Sequence, residues 1–126
     1  MCTRKLILCV DDEATGLIVR KLLLETEGHA VLTAENGPSA LALFSSQAVD
    51  LVVLDFAMPG MDGGMVAEKM KTLKPAVPIV MLSAYLDLPA ETVAKVDKLL
   101  TKGEPPRLFL RTITELLRLA TASSFA

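Results

Sequence analysis

Short, continuously apolar runs alternate along this chain with segments whose apolar residues recur at helical spacing. Lys5-Leu6-Ile7-Leu8-Cys9-Val10 is the first run and ends abruptly on Asp11-Asp12. From Ala14 to Glu25 the apolar positions are too dense for a strand with one wet face. Arg20, Lys21 and Glu25 supply a polar side to a helix there, and Gly28 suits its exit. Ala30 to Ala34 is a weaker strand. Asn36-Gly37-Pro38-Ser39 is a turn that starts a helix, with Pro38 near its first position and Ala40 to Ser46 as its body. Leu51-Val52-Val53-Leu54 is a third strand. A helix from Met65 to Leu73 carries Met65, Val66, Met70 and Leu73 at helical spacing, and Lys74-Pro75 stops it. Ile79-Val80-Met81-Leu82 is a fourth strand, Pro89 to Lys95 at best a short helix, and Lys98 to Thr101 a marginal fifth strand. Pro105-Pro106 opens a last helix with Phe109, Ile113, Leu116, Leu117 and Ala120 on one face and Arg107, Arg111, Glu115 and Arg118 on the other.

The order is strand–helix repeated about five times. Strands 1, 3 and 4 are apolar throughout, as expected when helices cover both faces of a parallel sheet. The pattern predicts an α/β, doubly wound, parallel five-stranded sheet with right-handed crossovers, in one domain over residues 1–126, with the fourth helix cut down. In such sheets ligands bind at the carboxyl ends of the strands. Those ends carry Asp11-Asp12, Asp55, Ser83 and Lys102. Three neighbouring carboxylates repel one another, and a hard divalent cation with carboxylate, carbonyl and phosphate-oxygen ligands relieves that repulsion. Ser83 can donate to a phosphoryl oxygen, Lys102 can place a point charge on it, and Asp55 can be the nucleophile that receives it.

Composition narrows the class. The 126 residues suffice for a single core, which at 52% apolar and 4% aromatic must be aliphatic. A net charge of −2, with no clustered Lys and Arg, gives no nucleic-acid face. No segment approaches the length of a membrane span, and Asp11-Asp12 interrupts any leader-like apolar region. Cys2 and Cys9 are too far apart for a CxxC pair and read as reduced thiols, Cys9 as a small buried hydrophobe. The expected location is the cytoplasm.

The chain resembles the receiver domain of two-component response regulators, over nearly its whole length, including the single-domain chemotaxis-type regulators. The matching stretches are Val10-Asp11-Asp12-Glu13, Ala34-Glu35-Asn36-Gly37, Val49-Asp50-Leu51-Val52-Val53-Leu54-Asp55, Met58-Pro59-Gly60-Met61-Asp62-Gly63 and Pro78-Ile79-Val80-Met81-Leu82-Ser83-Ala84. The resemblance implies a flavodoxin-like (βα)5 fold and phosphorylation of Asp55 by a sensor histidine kinase or a histidine phosphotransfer protein. It implies Mg²⁺, or Mn²⁺ in its place, bound by Asp12, Asp55 and the backbone carbonyl of Ala57, with Asp11 acting through water. Ser83 and Lys102 would contact the phosphoryl group. The expected partners are that kinase and an output protein. No output domain follows Ala126, so the chain is either a stand-alone regulator or a piece of a longer one. Gly63 and Gly64 would let the chain turn back into a helix without a side-chain clash.

Some positions depart from the family. Gly103 follows Lys102 where the family has a proline in a cis peptide, Glu104 stands where an aromatic is common, and Leu99 takes the place of the switch aromatic. All lie in the half that reports phosphorylation. An alternative reading follows: a decoupled receiver acting as a phosphorylation-independent interaction module. Tyr85 and Ala57 flank the expected water path to the acyl phosphate and would tune its lifetime. A Mg²⁺-dependent phosphohydrolase is disfavoured by Ala57, where haloacid-dehalogenase-like enzymes place a second acid. A flavodoxin is disfavoured because Asp11-Asp12 would repel a flavin phosphate.

Blander readings stand beside these. Asp11-Asp12 could be a strand-end turn or a helix cap, Lys102 an ordinary surface lysine, and Ser83 a turn residue; together with Asp55 they are better read as one site. His29 reads as a solvent-facing turn residue, Asp62 as a turn residue, and Met58, Met61, Met65 and Met70 as loop and core packing. The first helix is richer in apolar residues than one buried face needs, so Gly16, Leu17 and Val19-Arg20 are candidates for a partner-docking surface.

Overall fold

The computed structural model describes residues 4–84 and 87–123. Its elements are β1 (Leu6–Val10), α1 (Ala14–Thr26), β2 (Ala30–Ala34), α2 (Gly37–Ser46), β3 (Leu51–Asp55), α3 (Gly63–Leu73), β4 (Ile79–Ser83), α4 (Ala90–Val93), β5 (Lys98–Thr101) and α5 (Pro106–Ser123). The five strands form one parallel sheet in the order β2-β1-β3-β4-β5. This is a flavodoxin-like (βα)5 sheet, and its order reverses beside β1.

Alternate side chains of the central strands enter two cores, as the period of two demands. On one face Leu8, Val10, Val52, Leu54, Ile79 and Met81 pack against α2 and α3 through Ala40, Phe44, Val66, Ala67 and Met70. On the other, Ile7, Cys9, Leu51, Val53, Val80 and Leu82 meet α1 and α5 through Leu17, Leu24, Phe109, Ile113 and Leu117. Both β3 and β4 are buried at every residue, whereas β2 and β5, at the sheet edges, are only partly covered. That difference is why the edge strands are weak in the sequence.

Helix starts are set by caps. The Asn36 carboxamide accepts from Ser39 N at 2.8 Å, so α2 begins at Gly37, three residues earlier than its apolar body suggested. Asp62, expected as a turn residue, caps α3 by accepting from Met65 N at 3.0 Å. At the exit of α1, Gly28 has φ of 90°, and His29 N donates to Leu24 O, which closes the helix in the left-handed conformation glycine allows.

Several expectations are corrected by the packing. The buried stripe of α3 is Val66, Ala67 and Met70, while Met65, on the far side of the helix, and Leu73, at its last residue, are exposed. In α1 the inward stripe is Leu17 and Leu24; Leu17 is only 5% exposed, so it cannot be a docking residue, and Ile18, Val19 and Leu22 face outward instead. His29 is half-buried rather than fully solvent-facing: its Nδ1 is covered and accepts no hydrogen bond. The fourth helix is indeed short, four residues. Cys2 and Tyr85 lie outside the described residues. Among the described residues no helix is long and apolar enough to cross a membrane.

Candidate functional site at the carboxyl edge of the sheet

The parallel register carries the ends of β1, β3, β4 and β5 to one edge. Asp55 is the last residue of β3 and pairs in register with Leu82, one residue before Ser83; Ser83 pairs with Thr101, one residue before Lys102. Backbone bonds tie these ends together: Phe56 N donates to Leu82 O, and Lys102 N to Ser83 O, each at 2.9 Å. Asp11 follows β1 directly, and its N–H donates to Ala34 O.

The loop after Asp55 is folded tightly onto the strand end. Gly63 N donates to Phe56 O at 2.8 Å. A Cβ on Gly63 would stand 2.5 Å from Asp55 O and 2.7 Å from Phe56 Cα, so only glycine fits beneath this turn. The sequence expectation for Gly63 holds. At Gly64 the neighbours are side-chain ends of Thr92 and Asp62, so the demand there is weaker.

Asp11, Asp12 and Asp55 offer carboxylate oxygens within 4.8 Å of one another. Asp11 and Asp55 are each 1% exposed, while Asp12 is exposed at the rim. Lys102 Nζ lies 2.9 Å from Asp55 Oδ1 and 3.7 Å from Asp11 Oδ2. Among the described residues the Lys102 ammonium is the one donor group that reaches an Asp55 oxygen, and no backbone N–H bonds to either of them. Ser83, also buried, reaches the same edge at the end of β4. Ala57, two residues beyond Asp55, is exposed in the turn at the mouth.

Burial pushes the Asp55 carboxyl above its usual range, and the charge of Asp11 adds to that, against the pull of Lys102. Asp11 is equally deep. Burial acts upward on it too, but the Glu13 N–H on its Oδ1, at 2.9 Å, and the Arg20 and Lys102 charges hold it below the usual range. Burial lowers the affinity of Lys102 for its proton, yet Asp55 and Asp11 outweigh this and raise it. The site therefore favours the charged forms of Asp11 and Lys102 and disfavours that of Asp55. Three carboxylates with oxygens this close, two of them buried and one of those met by no backbone N–H, suit a hard divalent cation, so the residues present fit Mg²⁺.

One site residue escaped the sequence reading. Arg20, placed there on the polar side of α1, turns inward and pairs with Asp11 Oδ2. The signal was present: Leu17, Arg20 and Leu24 share one stripe at spacings of three and four, so the arginine sits among core-facing positions. Neither Asp11 nor Asp12 caps α1; its N-cap is Glu13, without a side-chain bond.

A five-stranded flavodoxin-like sheet with an acidic trio, a serine and a lysine at its carboxyl edge defines a receiver-type α/β module. Residues 7–113 match the sequence model of the response regulator receiver domain, and the chain belongs to that family. Among curated relatives, the transcriptional regulatory protein ResD of Bacillus subtilis is 37% identical over 94% of this chain and 50% of its own length. The sensor histidine kinase GacS of Pseudomonas protegens is 38% identical over 63% of this chain and 9% of its own. The chain thus spans half or less of the length of these relatives. Among solved structures, a CheY-like receiver domain protein of Methanospirillum hungatei superposes with a TM-score of 0.89 at 28% identity, covering 96% of this chain and 99% of that one. TrrA of Thermotoga maritima, solved with Mg²⁺ and BeF, gives a TM-score of 0.82 at 35% identity, covering 89% of this chain and 98% of that one.

Proposed function

We propose that this chain is a phosphoacceptor receiver in which Asp55 takes a phosphoryl group from a phosphohistidine of a sensor kinase or phosphotransfer protein. It would work in the cytoplasm, as one domain over residues 1–126, on an output protein or an attached output domain. The observation that carries the reading is Asp55 itself: a buried carboxylate that no backbone N–H satisfies, with a lysine as its close partner, at the open edge of the sheet. A purely structural buried acid would be satisfied by donors.

Asp11, Asp12, Asp55 and the Ala57 carbonyl would hold Mg²⁺, or Mn²⁺. When bound, the ion neutralises the acidic cluster and the charge on the transferring group. Asp55 attacks phosphorus with a carboxylate oxygen; the P–N bond to the donor imidazole breaks, and the imidazole leaves with the bonding pair and is reprotonated. Lys102 places its charge on the phosphoryl oxygens, and the Ser83 hydroxyl donates to one of them. Loss of the group is the reverse logic with water: the P–O bond to Asp55 breaks and inorganic phosphate leaves.

Intact-mass measurement after incubation with a small phosphodonor and Mg²⁺ tests this. One added phosphoryl group is expected for the native chain, and none with chelator or in Asp55→Ala. No gain in the native chain, or an undiminished gain in the Asp55 variant, would refute the assignment.

A second reading has specific support. The Lys102-Gly103 peptide is trans, α4 has four residues, and Leu99 packs half-buried against the α2/α3 core where a switch aromatic is expected. Phosphorylation would then be retained while the usual serine–aromatic signal is altered, and the chain would act as an interaction module. Saturation with beryllofluoride and Mg²⁺ distinguishes the two: amide shifts spreading to β5 and α5 favour the switch, and shifts confined to the acidic edge favour decoupling.

A further inference from the structure

Arg20 lies outside the residues that carry the family resemblance, yet it enters the site. Its side chain is 15% exposed, and a guanidinium N–H donates to Asp11 Oδ2, the oxygen that also lies 3.7 Å from Lys102 Nζ. Gly16 sits one turn earlier on α1. A Cβ at Gly16 would stand 3.3 and 3.4 Å from two Arg20 guanidinium nitrogens and 3.1 Å from Glu13 Oε1. The bare backbone at Gly16 is therefore the gap along which the guanidinium runs between α1 and Asp11. Beyond it lies a cleft of ≈ 130 Å³, lined by Arg20, Leu82, Thr101, Lys102, Glu104 and Phe109 among others. That cleft offers a displaced guanidinium both room and an acid, Glu104.

The electrostatics give this arrangement a consequence. Asp11, Asp12 and Asp55 face two cations, Lys102 and Arg20, so the ionised cluster carries one net negative charge. Without Arg20 it carries two. A divalent ion entering the cluster must share Asp11 with the guanidinium or push it back along the Gly16 gap, and a monovalent and a divalent cation a few ångströms apart repel strongly where water is scarce.

We infer that Arg20 is a tethered counter-cation of the acidic cluster, which occupies Asp11 in the metal-free site and raises the Mg²⁺ concentration needed to load it. This rests on the reading of the cluster as a metal site. Arg20 is a positioning residue in this account: it acts through Asp11 and sets how much of the protein is competent for phosphoryl transfer at a given Mg²⁺ level.

The test is calorimetric titration of the folded chain with MgCl₂ at low ionic strength, on the native protein, Arg20→Gln, Arg20→Lys and Gly16→Val, with thermal unfolding in chelator to establish that each is folded. Arg20→Gln is expected to bind Mg²⁺ roughly tenfold more tightly, since one positive charge has gone from beside the ion. Arg20→Lys keeps the charge and is expected to stay within about threefold of the native Kd. Gly16→Val keeps the arginine but fills the gap into which it would be pushed back, so its Kd is expected to rise above the native value, opposite to Arg20→Gln. An Arg20→Gln Kd equal to or weaker than the native one overturns the inference while leaving the metal site intact; if that variant does not fold, an unchanged Kd in Gly16→Val overturns it equally. Absence of Mg²⁺ binding by the native chain overturns the inference and the metal-site reading together.

Discussion

Replacing Gly63 with alanine adds one carbon at the tightest point of the site, and the structure sets the size of the effect. The new Cβ would stand 2.5 Å from Asp55 O and 2.7 Å from Phe56 Cα, both backbone atoms. Ordinary contact needs about 3.5–4.0 Å between such atoms, so the turn after β3 or the start of α3 must lift by about an ångström. Neither is free to move: Phe56 N is bonded to Leu82 O, and Gly63 N to Phe56 O. Overpacking of this kind costs about 1–3 kcal/mol, and stretching the Gly63–Phe56 bond adds about 1 kcal/mol. The better helix propensity of alanine returns up to about 1 kcal/mol. The expected net loss is about 1–4 kcal/mol, seen as a fall of roughly 0.5–2 M in the urea midpoint at unchanged slope. Gly64→Ala is the internal control. Its Cβ would meet the Thr92 hydroxyl at 3.0 Å and an Asp62 oxygen at 3.2 Å, both ends of side chains that can turn away, so its stability should stay within about 1 kcal/mol of native. The measurement is equilibrium urea unfolding of the three proteins. A Gly63→Ala midpoint coinciding with the native one, or an equal loss in Gly64→Ala, would refute the close-approach argument.

Other expectations follow from single groups. Asp50→Ala and Asp97→Ala each strip the carboxylate from a strand's first N–H, Leu6 N and Ile79 N, both now bonded at 2.8 Å; each should cost about 1–3 kcal/mol in urea unfolding, and a loss near zero would show that water replaces the carboxylate. Burial pushes the Cys9 thiol up to about 12, so in a Cys2→Ser background it should resist a disulfide reagent at pH 8 until the chain unfolds; labelling at the unfolded-chain rate under native conditions would contradict its placement. Burial lowers the pKa of His29 below its ordinary 6.5, so the unfolded chain binds its proton first. The stability this group contributes is present above pH 6.5 and is lost as pH falls through its folded value. Across pH 7.5 to about 5 the native chain should therefore lose more stability than His29→Leu, and parallel pH profiles of the two would count against a buried neutral imidazole.

How far the sequence revealed this follows from where each residue sits in the sheet. Strands β1, β3 and β4 are covered on both faces, so their residues are uniformly apolar and their carboxyl ends announce themselves as Asp11, Asp55 and Ser83. The edge strands and the four-residue α4 bury less and leave a fainter pattern. The inward stripe of α1 is not legible in the sequence, because Leu17 through Leu24 holds an apolar residue at nearly every step and leaves the phase undetermined. With the phase went Arg20, whose charge argued for solvent while its position argued for the interior. The buried side of His29 had no signal at all, since a lone histidine after a helix-ending glycine reads the same whether its ring turns out or in.

Acidic residues serve two unlike purposes in this domain, and the polarity of a parallel sheet separates them. At the amino edge the strands present unpaired N–H groups. Asp50 and Asp97 sit there, and each completes a two-way bond with a neighbouring strand: Asp50 N donates to Leu6 O while its carboxylate accepts from Leu6 N, and Asp97 repeats the pattern on Ile79. At the carboxyl edge the strands present carbonyls, which can give a carboxylate nothing. Asp55 is carried there by β3 and finds no backbone N–H; what faces it are the ammonium of Lys102 and the oxygens of Asp11 and Asp12. An acid at the amino edge is consumed by the fold, and an acid at the carboxyl edge is left wanting a cation or an electrophile. The chemistry of the site is thus a consequence of strand direction as much as of residue type, which is why Asp50, just before β3, and Asp55, at its end, have opposite fates.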